Sequence, residues 1–344
     1  MTFEGAEGGR NPHVYRVLVD STQRQRGHAF NFTFDVSRVT TSTDFRSKSW
    51  MCGVEWCDIV KYAEGQGSDF TVSDNFPRCM LLTCPNLRQH NTYESWSANT
   101  GSTLALLQSY MGYGIYNMSA DQPYLSRNTL GCYIQGDRLN QLGALQFQMM
   151  VDFGEEGLFP CLQPDSVNIF GFDYTFSLVF WEVKQPIPER PISPYYDFYK
   201  LLIRSSDRMA GGTAADCYIP LSLTTSGSMG VGTWQLAVEA CSIIRHGVFI
   251  NEQARGMSIV SDNFRDPYGH QVIGHLSKSD DGWYGLRMTN KPITRDLVGV
   301  NVSATLDGMA SIHIGIRDSE TLDNLLEPEN VDEWLMILTF YRVD

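Results

Sequence analysis

Residues Trp50 to Val60 read WMCGVEWCDIV, and residues Trp234 to Ile244 read WQLAVEACSII. Trp50, Val54, Glu55, Cys57 and Ile59 recur as Trp234, Val238, Glu239, Cys241 and Ile243, five identities in eleven positions at a constant offset of 184. Self-similarity at a fixed spacing is the signature of a repeated structural unit. Side chains of an extended chain alternate between faces. Trp50, Cys52, Val54, Trp56 and Val60 are therefore expected on one side of the first copy, and Trp234, Leu236, Val238, Ala240 and Ile244 on the same side of the second. Each copy reads as a strand with one apolar face, interrupted near its end by Asp58 or Ser242.

The match extends outward. YRVLVDSTQR (Tyr15 to Arg24) pairs with YKLLIRSSDR (Tyr199 to Arg208) at the same offset of 184. Both segments read as a strand running into a polar turn. Asn86-Leu87-Arg88 pairs with Asn263-Phe264-Arg265, and LVFWEV (Leu178 to Val183) pairs with LTFYRV (Leu338 to Val343) at offset 160. The first copy is thus 24 residues longer, with the excess expected between its middle and closing strands.

Around these anchors the chain divides into a Gly- and Glu-rich arm (1–12), a first unit (13–185), a linker (186–195) with prolines at 186, 188, 191 and 194, and a second unit (196–344). A proline-rich linker is extended and semi-rigid, so the two units are expected at a set separation. In the first unit strands are expected over 14–20, 29–37, 50–61, 78–84, 129–135, 145–152 and 174–184. FNFTFDV places Phe30, Phe32, Phe34 and Val36 on one face. The second unit has strands over 198–205, 214–223, 233–246, 257–261, 283–288, 297–306, 311–316 and 333–343, with turn signals at Asp281-Gly282 and Asp307-Gly308. Short strands separated by turns, without a strand-helix-strand rhythm, give an all-β chain of two tandem antiparallel jelly-roll β-sandwiches related by internal duplication.

Residues 86–128 form a long excursion in which 102–110 has the pattern of a short helix. Its aromatic and methionine content, Tyr93, Trp96, Tyr110, Met111, Tyr113, Tyr116, Met118 and Tyr124, is of the kind enriched at interfaces. These residues either meet a partner or close the open end of their own sandwich.

Composition excludes several functions. The net charge of −13 is shared, with 14 basic and 20 acidic side chains in residues 1–190 and 12 and 19 in the rest, so neither half carries the clustered cations that a phosphate backbone needs. Arg16, Arg24, Arg26, Arg38, Arg46 and Lys48, interleaved with Asp20, Asp35 and Asp44, read as a solvated sheet edge. No apolar run reaches the length that spans a bilayer, and MTFEGAEGGRNP lacks the pattern of an export signal, so a soluble protein made inside the cell is expected. That also argues against disulfides, and against glycosylation at Asn31, Asn117 and Asn301.

Cys52/Cys57 and Cys79/Cys84 share the spacing C-x4-C, but five residues along a regular strand put two side chains on opposite faces, so no zinc site is expected there. Cys57 and Cys241 read as small core residues. Ser73-Asp74-Asn75 and Ser261-Asp262-Asn263 match one motif of serine β-lactamases, yet no Ser-x-x-Lys accompanies them. The nearest thing to a metal set, His246, His270 and His275 with Asp262 or Asp266, lacks the shared face a metal needs. Glu55 and Glu239 are expected to face solvent or pair with a neighbouring arginine. No catalytic residue, metal or cofactor is therefore assigned.

A tandem of jelly-roll-sized units, joined by a proline-rich linker and each ending in an aromatic strand (LVFWEV, LTFYRV), resembles the double jelly-roll capsid proteins of icosahedral viruses, best known from double-stranded DNA viruses. The resemblance is architectural and covers residues 13–344. It implies a non-enzymatic virion protein, three copies of which form a pseudo-hexameric capsomer beside other capsid proteins. Val17 to Arg24 also resembles a loose pattern of minor virion proteins of large DNA viruses, and the chain is short for a major capsid protein with tall surface towers. The alternatives are a carbohydrate-binding or host-attachment module, and a metal-dependent sandwich enzyme.

Overall fold

The computed structural model describes residues 14–28, 31–62, 79–87, 92–96, 101–108, 131–152, 158–160, 172–183, 198–221, 234–243, 256–264, 271–277, 300–302, 309–318, 321 and 333–342. The first half supplies β1 (Val14–Asp20), β2 (Arg26–His28), β3 (Asn31–Asp35), β4 (Ser49–Tyr62), β5 (Cys79–Thr83) and β6 (Thr92–Glu94). It continues through β7 (Thr103–Gln108), β8 (Gly131–Gln135), β9 (Ala144–Asp152), β10 (Leu158–Pro160) and β11 (Phe172–Val183). The second half supplies β12 (Phe198–Arg204), β13 (Asp216–Pro220), β14 (Trp234–Ile243) and β15 (Gly256–Val260). It closes with β16 (Val272–Ser277), β17 (Val300–Val302), β18 (Ser311–Asp318) and β19 (Trp334–Arg342). Three short helices, α1 (Ser37–Thr40), α2 (Thr43–Arg46) and α3 (Gly136–Leu142), belong to the first half.

The strands form four sheets, in the orders β1-β11-β4-β8, β2-β3-β9-β5-β7, β17-β14-β19-β12-β6 and β13-β18-β15-β16, with β10 beside β9. Leaving out β2, β6 and β10, each half contributes eight strands, and both halves have the orders 1-8-3-6 and 2-7-4-5. That is jelly-roll topology, twice. Each pair of sheets encloses its own core, one built on Trp50, Phe147, Tyr174 and Phe176, the other on Trp234, Trp334, Met336 and Phe340. Burying each such side chain contributes about 1.5–3 kcal/mol.

The registers of the halves coincide as well. Val17 stands opposite Leu178 as Leu201 does opposite Leu338; Leu178 faces Val54 as Leu338 faces Val238; Phe32 faces Phe147 as Cys217 faces Ile314. The offset is 184 at β1 and β4, falling to 177 at β5, 169 at β7, 167 at β9 and 160 at β11. The extra residues of the first half are thus spread over several connections rather than concentrated in one.

The repeated Val-Glu explains itself here, and corrects the regular alternation expected of these strands. Val54 pairs with Leu178 and Trp56 with Ser177, leaving Glu55 as a β-bulge; Val238 pairs with Leu338 and Ala240 with Ile337, leaving Glu239 as the same bulge. One extra residue inverts the parity of everything after it. Cys57, not Trp56, therefore returns to the core beside Trp50, Cys52 and Val54, and Cys241 joins Trp234, Leu236 and Val238. Cys52 and Cys57 share one face after all, as buried core thiols. Glu55 pairs with Arg16 at 2.9 and 3.1 Å, while the side chain of Glu239 lies outside the described residues.

The other repeated polar residues are clamps. The Ser21 and Ser205 hydroxyls accept from the backbone N–H of Tyr174 and Trp334 at 3.0 and 2.7 Å. Asn86 Oδ1 accepts from Gln146 N, and Asn263 Oδ1 from His313 N, both at 2.6 Å. Each tethers a turn to a neighbouring strand, so these identities are structural.

One expected element changes class. Residues 102–110, read as a short helix, contain strand β7, because its apolar run is buried on both sides: Leu104 faces the first core and Leu106 packs on the outer face. A continuous apolar run of this length is ambiguous in sequence. The linker 186–195 and the expected strand 283–288 lie outside the described residues.

Candidate functional site

The two sandwiches touch through their outer faces. Leu81 of β5, Leu106 of β7 and Met150 of β9 meet Leu202 of β12 and Leu335 and Ile337 of β19 in a third apolar cluster. Along β12 and β19 the neighbours Leu201, Ile203, Met336 and Leu338 turn inward to the second core, so both faces of these strands are buried. The contact is head to tail: the second sheet of the first sandwich lies on the first sheet of the second sandwich. Its signal in the sequence was LLIR (201–204) and WLMIL (334–338), runs with no polar face.

The excursion seals this contact. β6 joins the second sandwich as an edge strand parallel to β12, with Thr92, Tyr93 and Glu94 opposite Lys200, Leu201 and Leu202. Tyr93 is buried in the second core, its hydroxyl 3.4 Å from Pro220 O. Trp96 packs against the apolar cluster with the Arg204 guanidinium 5.4 Å from its ring centroid. Arg204 is held by Asp207 at 2.6 and 3.1 Å, and Asp207 accepts from Ser95 at 2.5 Å. Tyr93 and Trp96 thus join the chain's own two sandwiches. Tyr110, Met111, Tyr113, Tyr116, Met118 and Tyr124 lie outside the described residues.

Glu94 is buried at 2% exposure, and its Oε1 accepts from Thr103 Oγ1 at 2.6 Å and from the N–H groups of Ser102 and Thr103 at 2.9 Å. Gly101 sits so close that a Cβ would meet Thr92 Cγ2 at 2.8 Å. Burial pushes the Glu94 carboxyl above its ordinary value of 4.5, against the pull of the Thr103 and Ser102 bonds. With a raised folded value, the native state takes up the proton before the unfolded chain does. The associated stability is full below 4.5 and is lost as pH rises through the folded value. Glu94→Gln keeps an acceptor oxygen and removes the titration. Wild type is expected to gain stability relative to this variant as pH falls from about 7 towards 4.5 in urea denaturation, and a pH-independent difference would contradict the assignment.

The outer face of the second sandwich's other sheet is polar and concave. Asp216, Tyr218, Val260, Asp262, Gln271, Val272, His313 and Arg317 line a shallow cleft of about 370 Å³. The backbone N–H of Asp262 donates to His313 Nδ1 at 3.1 Å, which leaves Nε2 to donate to Asp216 at 2.9 Å. Arg317 reaches the other Asp216 oxygen at 2.7 Å. Burial pushes the Asp216 carboxyl up, but the bonds from His313 and Arg317 outweigh it and hold the carboxyl below its usual range. Both ring nitrogens of His313 are engaged, so it ties β13, β18 and the turn after β15 together. In the first sandwich the equivalent pair is Asn31 and Gln146, bonded at 2.8 Å.

Of the histidine set considered from sequence, His275 is exposed on β16 and Asp262 turns to His313, while His246, His270 and Asp266 lie outside the described residues. Among the described residues no group of three His, Cys, Asp or Glu side chains is placed to hold a metal. Burial pushes the Cys217 thiol up to about 12 and the Cys241 thiol higher still, so both act as apolar core residues. Among the described residues no helix is long and apolar enough to cross a membrane.

No family model matches the chain, and no curated protein matches it. Among solved structures it is similar to that of Sulfolobus turreted icosahedral virus, with a TM-score of 0.29, 9% identity, and coverage of 96% of this chain and 90% of that one. It is similar to the cryo-EM structure of broad bean stain virus, with a TM-score of 0.30, 8% identity, and coverage of 99% and 93%. It is also similar to the crystallised STIV major capsid protein, with a TM-score of 0.24, 9% identity, and coverage of 96% of both chains.

Proposed function

We propose that this chain is a structural capsid protein whose three copies form a pseudo-hexameric capsomer of an icosahedral virion, and that its two sandwiches descend from one duplicated unit. The observation that carries this is the head-to-tail packing of two sandwiches of equal topology, second sheet on first sheet. Such a contact joins two different surfaces, so repeating it around an axis builds a ring rather than a closed pair. The coincident registers, bulges and clamps support the duplication. An apolar junction and an embedded β6 fix one sandwich on the other, which is what a shell unit of set geometry requires. The protein partners itself and other shell components, and its charge of −13 leaves genome contact to others.

Light scattering on the purified protein, with negative-stain imaging of the main species, tests this. A stable particle near three times 38.8 kDa with a hexagonal outline is expected. A monomer that persists at high concentration overturns it.

A further inference from the structure

We infer that the outer row of β1, Val14, Arg16 and Leu18, docks a second copy of this chain, against the outer face of its second sandwich that carries Tyr218 and the Asp216 cluster. This rests on the capsomer reading and specifies its interface. The argument is the inequality of two equivalent strands. β1 and β12 occupy the same place in their sandwiches, in the same register with the closing strand. On β12 the row is covered, with Lys200 and Leu202 both at 0% exposure beneath the first sandwich and β6. On β1 Leu18 is 60% and Val14 39% exposed, the Arg16 side chain is 56% exposed, and among the described residues the strand pairs only with β11.

The occupant follows from the same equivalence. What covers Leu202 is the second sheet of a sandwich, through Leu81, Leu106 and Met150. Among the described residues, the one such sheet not used inside the chain is β13-β18-β15-β16, where the equivalent positions hold Ser258, His275 and Arg317. That face also presents Tyr218 at 45% exposure, with the Asp216 and Asp262 side chains 47% and 55% exposed. An exposed leucine thus meets a polar face whose exposed anchor is Tyr218, while Arg16, held by Glu55, stands beside it. The junction within a chain is apolar and permanent; the one between chains is polar.

The test uses single variants of the full chain, Leu18→Glu and Tyr218→Glu, followed by light scattering and circular dichroism. Each variant alone is expected to stay folded and lose the trimer. Mixed, they retain one intact pair of faces and are expected to give a 1:1 dimer near twice 38.8 kDa, which also proves both folded. If the wild type is trimeric and both variants remain so, this surface is wrong and the capsomer reading survives. If the variants are monomeric and the mixture stays monomeric, the contact is not head to tail and the inference falls. If the wild type is itself monomeric, both fall. Should Leu18→Glu fail to fold, Arg16→Glu takes its place with the same expected outcomes.

Discussion

Leu202→Glu is expected to cost at least about 4 kcal/mol of stability, while Leu18→Glu, the same substitution at the equivalent position, is expected to stay within about 0.5 kcal/mol of wild type. Both residues lie on the first strand of their sandwich with side chains pointing away from its core, so local propensity and register are matched. Only the surroundings differ. Leu202 is fully buried against Leu81, Leu335 and Ile337, and it stands opposite the buried Glu94 in the parallel pairing with β6. A glutamate there forfeits about 1.5–3 kcal/mol of apolar transfer and adds a second buried carboxylate with no cation introduced to offset it. Set against a total stability of about 5–15 kcal/mol, that loss threatens folding itself. Leu18 is 60% exposed in the single chain and exchanges little with solvent there on substitution, so the comparison is made at concentrations where the wild type is dissociated. Urea denaturation followed by circular dichroism measures both, and equal losses at the two positions would contradict the buried junction.

That contrast also marks what the sequence could reveal. The offset of 184 located two equivalent sandwiches, and Tyr15 to Arg24 and Trp50 to Val60 named their first and third strands correctly. For Glu55 the sequence left solvent or a neighbouring arginine as alternatives, and the structure supplies the arginine, Arg16. The bulge at Glu55 was not legible, since a strand with one extra residue has no signature other than broken alternation, and Trp56 and Cys57 are both plausible in a core. The strand β7 was hidden for a related reason: a segment buried on both faces loses the period of two that identifies a strand. β6 was beyond reach because its three residues are stabilised by β12, more than 100 positions away. The His313 cluster joins residues 216, 262, 313 and 317, which no local pattern brings together. Tyr93 and Trp96 stood out by residue type, but type alone does not say whether the surface they meet belongs to the same chain.

Arg208→Met is expected to destabilise the protein by about 3–5 kcal/mol. The Arg24 and Arg208 guanidinium groups perform the same clamp. Arg24 donates to Ser21 O at 2.6 Å and Gly27 O at 3.0 Å, and Arg208 donates to Ser205 O and Gly212 O, both at 3.0 Å. Losing the two bonds from Arg208 to neutral carbonyls accounts for about 1–2 kcal/mol of the loss. Arg208 also donates to Glu333, whose side chain is 7% exposed and which accepts from the Ser205 hydroxyl as well. Ser205 in turn receives Trp334 N at 2.7 Å, so serine, arginine and glutamate bind the first turn of the second sandwich to its closing strand as one network. Removing the arginine takes this counter-charge from a buried carboxylate, which is where the rest of the cost arises. Neutralising the partner isolates that contribution: adding Glu333→Gln to Arg208→Met is expected to recover about 1–2 kcal/mol, whereas additive losses in the double-mutant cycle would show that the pair is not coupled. The second sandwich is thereby closed by charge as well as by hydrogen bonds to neutral carbonyls. Shared topology fixed the place of the clamp in both halves, with serine and arginine at matching positions.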